Sequence, residues 1–326
     1  MCWAYATPIR PIWNEPRPEL LRVLSVAAGF LATRPAGVAK PEGVPLAWTP
    51  LLGDDHALRT DAYYAPVFLD GSGKPNLSTP VRAWLESIGV AGCGDDSSVA
   101  ILPWHHALAI GYSPAWLAEN ADGIRQGWPR VPLPDNPALL RASAALGTRV
   151  AALLDPDTPV PGVTTGSIQP ALTTIAVPAK RGGGAMNEID RTLTAGWGHA
   201  GKNGAVMPGR GRIIARDSAA NEAPAQAEAE LLGSRTNDVY LNADSYWRNI
   251  PDTVWNFTIG GYQVVKKWLS YREQPLLGRA LTPAEVRYVR DVARRLAALR
   301  LMAPELDANY RACAAAHFPL KKVQLN

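Results

Sequence analysis

Cysteine is scarce in this sequence: Cys2, Cys93 and Cys313 are the only three in 326 residues. Their odd number, wide spacing and lack of any C-x-x-C pair argue against a disulfide framework and against a zinc site. A reducing cytoplasm is the setting they fit. No run of about 18 apolar residues is present to span a bilayer. The first twenty residues, broken by Pro8, Pro11, Pro16 and Pro18, contain no signal-peptide core and read as an extended entry segment. A soluble intracellular chain without a membrane segment is therefore expected. Internal repeats of about 20 to 50 residues are also missing, which excludes a solenoid or propeller.

Recognisable catalytic motifs are equally scarce. Gly196-Trp-Gly-His-Ala-Gly201-Lys202 has the spacing of a phosphate-binding loop, but Asn203 stands where a Ser or Thr would hold magnesium. Gly204, Pro208, Gly209 and Gly211 then interrupt the helix that has to follow. A glycine-rich loop whose Lys202 touches a nucleic-acid phosphate is the better functional reading, with a plain β-turn as its alternative. Gly111-Tyr-Ser113-Pro-Ala115 looks like a degraded nucleophile elbow, yet Pro114 follows the serine directly, so Ser113 reads as a helix N-cap. A hydrolase built on Ser113 would lose turnover in Ser113→Ala, and no such turnover is expected. His105 and His106 are helix neighbours whose side chains diverge. With no carboxylate or cysteine at metal spacing, they are assigned to packing.

The basic charge is unevenly distributed. The net charge is +4, but from Arg235 to the C-terminus fourteen Lys and Arg face eight Asp and Glu, so this third carries +6 and the remainder −2. Within it, Asp238 to Arg272 contains Tyr240, Tyr246, Trp247, Trp255, Phe257, Tyr262, Trp268 and Tyr271, with Arg248, Lys266, Lys267 and Arg272 threaded between them. Rings and cations together suit base stacking and phosphate neutralisation. Burial in a core is the competing reading for each ring. Pro208-Gly-Arg210-Gly-Arg212 alternates small residues with arginine, a pattern that suits a narrow minor groove, a bidentate contact to guanine in the major groove, or a flexible surface turn.

Local patterns predict several elements. Residues 20–33 form a buried helix or strand, which periodicity does not distinguish. Short strands follow over 48–52 and 62–69. Helices are expected over 77–88, closed by Gly89, from the segment 99–108 to an end at Gly111, and over 114–120 and 137–154, with Asp155 and Pro156 ending the last. Residues 170–216, rich in Thr, Val, Gly and Arg, read as β-structure with glycine turns. Thr282-Pro-Ala-Glu285 opens a helix with a capping box. Val286, Val289, Val292, Leu296 and Leu299 supply its buried stripe, while Arg287, Arg290, Arg294, Arg295 and Arg300 fall outside it, as a solvated basic face or a phosphate-contacting one.

Longer strings carry a family resemblance. IGGYQVVKKWLSYRE, LLGRALTPAEV and ARRLAALRLMAPELDANYRA, with RPIWNEPRPEL, RPAGVAKPEGVP, HALAIGYSPAWLAENADGIRQGWPR and TAGWGHAGKNGAVMPGRGR upstream, resemble the C-terminal specificity region of type ISP restriction-modification enzymes and related adenine-specific DNA methyltransferases. The resemblance covers nearly the whole chain. It implies a region that selects the DNA target while catalysis sits upstream in the same polypeptide. No [N/D/S]-P-P-[Y/F] loop for a flipped adenine occurs here; Asp135-Asn-Pro-Ala is the nearest approach and lacks the second proline and the ring. The chain by itself is thus expected to be catalytically silent and to hold no cofactor, S-adenosylmethionine belonging to the missing methyltransferase core.

The combined reading is an α+β protein: a mixed β-sheet target-recognition region with packing helices and a capped C-terminal helix. Residues 1–155 are expected to join the methyltransferase core and 156–326 to recognise double-stranded DNA. Lys266, Lys267, Arg272 and the helix arginines, Arg294 among them, are the candidates for phosphates, with Lys202. His199, Arg210, Arg212, Asn242, Arg248 and Gln263 are the candidates for base edges. The other reading is a module that docks to a methyltransferase or nuclease core through the Pro-rich entry RPIWNEPRP and reads no DNA itself.

Overall fold

A computed structural model of the chain describes Val23 and residues 28–37, 42–59, 61–70, 72–92 and 96–319. The Pro-rich entry segment, Cys2 and Cys93 lie outside the described residues. The fold is α+β. In chain order the principal elements open with β1 (Phe30–Thr33), β2 (Ala47–Thr49), β3 (Tyr63–Pro66), α1 (Thr79–Ser87), α2 (Leu102–Gly111), α3 (Pro114–Glu119) and α4 (Pro137–Leu154). They continue with β4 (Val177–Lys180), β5 (Gly198–Ala200), β6 (Val206–Pro208), β7 (Ile213–Asp217), β8 (Arg235–Tyr240) and β9 (Ser245–Pro251), and end with α5 (Val264–Ser270), α6 (Pro283–Leu301) and α7 (Ala303–Ala315). The chain divides into two compact units. Of the described residues, one unit takes those up to Asp155, with Ile259–Tyr262 and 303–319; the other takes Pro156–Thr258 and Gln263–Met302.

In the first unit β1 lies between β2 and β3 in an antiparallel sheet, so the ambiguous apolar stretch ends as a strand. Arg34, buried at its end, donates to the carbonyls of Arg59 (2.6 Å) and Gly260 (3.1 Å) and pairs with Glu42. The helices gather on apolar faces: Trp84, Leu85, Leu102 and Leu140 share one cluster, and Ile110, Trp116 and Tyr310 another. Helices α2 and α4 approach closely because Gly147 has no side chain; a Cβ there would lie 1.8 Å from the His105 carbonyl oxygen. Ser113 caps α3, accepting the Trp116 amide at 3.1 Å and donating to Asp307 at 2.6 Å, and it is fully buried. Asn136 caps α4 through the Leu139 amide.

The two histidines are packing residues. His106 donates from Nε2 to the Pro132 carbonyl (2.8 Å), which fixes Nδ1 as the acceptor of the Ser143 hydroxyl (2.8 Å), and Ser143 in turn accepts from Asn309 (3.0 Å). His105 Nδ1 lies 2.9 Å from Thr148 Oγ1. Burial pushes both imidazoles down to about 4.

The second unit is built on a four-stranded antiparallel sheet in the order β4-β9-β8-β7, with β5 and β6 forming a separate hairpin. Helix α6 packs on the sheet through the buried residues Val286, Val289, Ala293, Leu296 and Leu299. Trp247, completely buried, donates its indole N–H to the Val286 carbonyl at 3.0 Å. The capping box is formed: Thr282 Oγ1 accepts the Glu285 amide at 3.1 Å and Glu285 accepts the Thr282 amide at 2.8 Å. Half of the aromatic run is core: Tyr240, Trp247, Trp255 and Trp268 are buried, Tyr246, Phe257 and Tyr262 are half-buried, and Tyr271 is 40% exposed.

One expectation for α6 needs correction. Arg294 and Arg295 are not on a solvated basic face but buried, Arg294 donating to the Thr173 carbonyl at 2.9 Å and Arg295 to the Thr158 carbonyl at 2.5 Å. Both guanidinium groups are spent on loop carbonyls, so these charges are directed into the fold and not at solvent.

The histidines make acid sensitivity predictable. In the fold they titrate near 4 and in the unfolded chain near 6.5. Their stabilising contribution is therefore complete above about 6.5 and lost as pH falls from there towards 4, with a slope of at most about 1.4 kcal/mol per pH unit for one proton. Urea unfolding across this range should show the loss, and His106→Asn should be less stable at pH 7 yet flatten the slope. An unchanged slope in the variant would rule out His106 as its source.

Candidate nucleic-acid interface

The glycine-rich sequence from Thr194 to Arg212 becomes a hairpin with a fixed base and an open tip. Trp197 is fully buried at the base and donates its indole N–H to the Tyr240 carbonyl at 2.8 Å. The amides of Gly196 and Trp197 both donate to the buried carboxylate of Glu273, at 2.9 and 2.8 Å. The Gln274 amide reaches the Leu193 carbonyl at 2.7 Å, extending the same seam. Gly211 has φ +67° and a Cβ on it would meet the Trp197 ring at 2.1 Å, so no other residue fits without movement. Gly198 lies similarly close to the Ser270 carbonyl, which seats α5 against the hairpin.

This geometry excludes a phosphate-binding loop. The amides that would cradle a phosphate are occupied by a carboxylate, and strand β5 follows where a helix would have to begin.

The tip carries cations without counter-charges. From Arg191 to Arg216 the sequence contains no Asp or Glu. His199 sits opposite Met207 in the β5–β6 register, Lys202 lies in the connecting turn, and Arg210 follows β6; all four are exposed. Arg210 has no hydrogen-bond or ion-pair partner among the described residues. Arg212, half-buried, lies over the Tyr240 ring, its guanidinium carbon 4.3 Å from the ring centroid. Beside the hairpin, α5 presents the half-buried Lys266 and Lys267, and Lys267 Nζ sits 4.7 Å from the Tyr271 ring centroid. The structure thus brings His199, Lys202, Arg210 and Arg212 onto one hairpin and its exit, next to the helix that holds Lys266 and Lys267.

The remaining candidates have other work. Asn242 uses its whole amide on a turn, donating to the carbonyls of Asp190 (2.9 Å) and Thr192 (3.0 Å) and accepting the amides of Asp244 (3.1 Å) and Ser245 (2.9 Å). Gln263 donates to the Trp255 carbonyl at 2.6 Å. Arg248 pairs at 2.9 Å with the buried Glu222, which also takes Arg216 at 2.7 Å, and Arg216 forks onto Asp238 with two contacts of 2.9 Å. Arg272 stacks on Trp268 at 3.9 Å. Residues that the sequence reading did not single out as contacts also reach solvent: Tyr271, Met207, Ile213 and Ile214 are each 40–46% exposed. Only Tyr271 had a signal, as the ring next to Lys267 and Arg272.

Among the described residues, no group of three His, Cys, Asp or Glu could hold a metal ion, and no helix is long and apolar enough to cross a membrane.

The hairpin base should be sensitive to small changes. Gly211→Ala introduces a strained φ and a clash and should destabilise the chain by about 3 kcal/mol. Glu273→Gln turns an amide donor towards the Gly196 or Trp197 amide and should cost about 2 kcal/mol. Urea unfolding of both variants measures this; losses below about 0.5 kcal/mol, the level of an ordinary surface substitution, would contradict the described clamp.

Comparison with known proteins gives a family and a fold. The family described as the Type ISP C-terminal specificity domain matches residues 97–302, more than half of the chain. A solved DrdV–DNA complex is similar in fold, with a TM-score of 0.52 and 14% identity, covering 92% of this chain and 26% of that one. The ATP-dependent Type ISP restriction-modification enzyme LlaBIII, solved bound to DNA, gives a TM-score of 0.51 and 10% identity, covering 93% and 17%. The chain therefore spans about a quarter or less of the length of these proteins. No curated protein matches it. On the strength of the family match, the chain belongs to the Type ISP C-terminal specificity domain family.

Proposed function

We propose that this chain recognises a DNA target sequence, as the specificity region of a type ISP-like restriction-modification or N6-adenine DNA methyltransferase enzyme. The observation that carries the proposal is the acid-free hairpin with exposed cations and a rigid base, adjoining a lysine-bearing helix, in a chain of this family. Lys202, Lys266 and Lys267 neutralise phosphates and set the register. His199 and Arg212 reach towards base edges, Arg210 adds an exposed cation beside them, and Tyr271 offers a ring for stacking.

Chemistry is assigned to a core outside these 326 residues. Asn136, nearest to an adenine-holding tetrapeptide, is occupied as a helix cap, and Ser113 has no access to a substrate. S-adenosylmethionine would accordingly be bound by the methyltransferase core and no cofactor by this chain, and the enzyme would act in the cytoplasm.

A second reading, docking to the methyltransferase or nuclease core without reading DNA, draws on one observation. Tyr63 and Trp128 are 46% and 48% exposed and meet edge to face with centroids 5.2 Å apart, an aromatic pair of the kind found in protein interfaces.

Binding of the purified chain to random duplex DNA at two salt concentrations, with sequencing of what is retained, separates the two. DNA recognition predicts one enriched sequence and an affinity that falls linearly on log–log axes with salt. Lys202→Ala and Lys266→Ala should each weaken binding to all sequences alike and reduce the salt slope by about 1. No retention of DNA by the unmodified chain would leave docking as the surviving reading.

A further inference from the structure

We infer that Arg212 determines specificity by reading a guanine in the major groove, whereas Arg210, two residues away, contacts only the sugar-phosphate backbone; this rests on the DNA-recognition reading above. The two arginines have the same charge and opposite preparation. Arg212 is held from three sides. Its backbone carbonyl accepts the Tyr240 amide at 3.0 Å, and the residue before it, Gly211, is locked against the Trp197 ring. Its guanidinium carbon sits 4.3 Å from the centroid of the Tyr240 ring, and Tyr240 stacks in turn on Tyr246, with centroids 5.0 Å apart and planes 26° apart. Nη1 donates to the Ala243 carbonyl at 3.3 Å.

That leaves Nε–H and Nη2–H, the two parallel donors on one edge of the guanidinium, without partners among the described residues. A fixed pair of parallel donors matches O6 and N7 of guanine, the two adjacent acceptors that no other base presents in the major groove. Because the side chain is already ordered in the free protein, little rotamer freedom is lost on contact, and a wrong base leaves the fork unsatisfied. Arg210 has neither ring nor carbonyl to hold it. An unrestrained cation on an exposed turn gains from a phosphate wherever one lies, and so carries affinity without sequence information.

The test uses the whole chain and the same random duplex pool. The unmodified protein should enrich a sequence containing a guanine. Arg212→Lys keeps the charge over the ring but loses the fork, and should enrich the same sequence with that guanine relaxed by about tenfold or more. Arg210→Ala should leave every position of the sequence as it was while lowering affinity throughout. Replacing that guanine by 7-deazaguanine removes N7 and should weaken the unmodified protein more than Arg212→Lys, whose ammonium lacks the rigid fork, a difference that a purely structural role of Arg212 would not reproduce. An enriched sequence without guanine, or one unchanged in Arg212→Lys, overturns the assignment while DNA recognition stands. If the unmodified chain retains no DNA, the underlying reading fails and this one with it.

Discussion

A single buried carboxylate organises the candidate interface. Glu273 has lost its hydration and is stabilised by the amides of Gly196 and Trp197, so moving either partner exposes a charge or two donors to an apolar interior. The hairpin, Trp197 beneath it, the seam through Gln274 and the seat of α5 at Gly198 all follow from that placement. Because the carboxylate is directed inward and fully used, it does not neutralise the cations at the tip. The fold therefore combines a stiff base with an electropositive end, which is what a charged polymer requires of a surface that must fix its register.

The arginines divide by what it would cost to move them. Arg216 and Arg248 share Glu222, and Arg216 also holds Asp238, so removing Arg216 leaves Asp238 and the buried Glu222 short of a partner. Such losses typically amount to a few kcal/mol. Hydrogen bonding to Asp238 holds the Arg216 guanidinium above its ordinary range, another sign that the network is fixed. Arg294 and Arg295 are bound to carbonyls of the segment at 158–173 and act as braces between α6 and that segment. Arg210 breaks nothing in the fold if it swings towards a ligand. The exposed cations of the hairpin are among the basic residues that the scaffold can spare.

How much of this was legible in the sequence depends on the range of the interaction. Helix α4 begins and ends where Pro137 and Asp155 indicated, and the Thr282–Glu285 box and the Ser113 cap formed, because each is made by residues three positions apart. The α+β class and the glycine turns of the hairpin were legible for the same reason. The partners of Asn242 and Arg294 were not legible, because two of the four Asn242 bonds go to carbonyls about fifty residues away and the Arg294 acceptor, Thr173, is 121 residues away. The hairpin motif itself was visible, but its anchor, Glu273, lies 76 residues downstream of Trp197 and had no local signal. Composition indicated a basic, aromatic surface; only the tertiary contacts separated the rings and arginines that build the core from those that face solvent.

The same separation bears on how such a surface can change. The hairpin is held by main-chain amides, by glycines and by Trp197, none of which projects from its tip. Exposed side chains at 199, 202 and 210 contribute little to folding, and substitutions at such positions usually alter stability by no more than about 0.5 kcal/mol. A change of contact residue is therefore nearly free for the scaffold, while a change at Gly211, Trp197 or Glu273 is not. Arg212 lies between these classes: its ring contact fixes its orientation, but Tyr240 keeps its own cross-strand partner, Tyr246, when the guanidinium is removed. A position that is ordered yet dispensable to the fold can be exchanged for another side chain that is equally well ordered by the same ring. Precision of contact and freedom to vary are then properties of one site, supplied by a scaffold that does not depend on it.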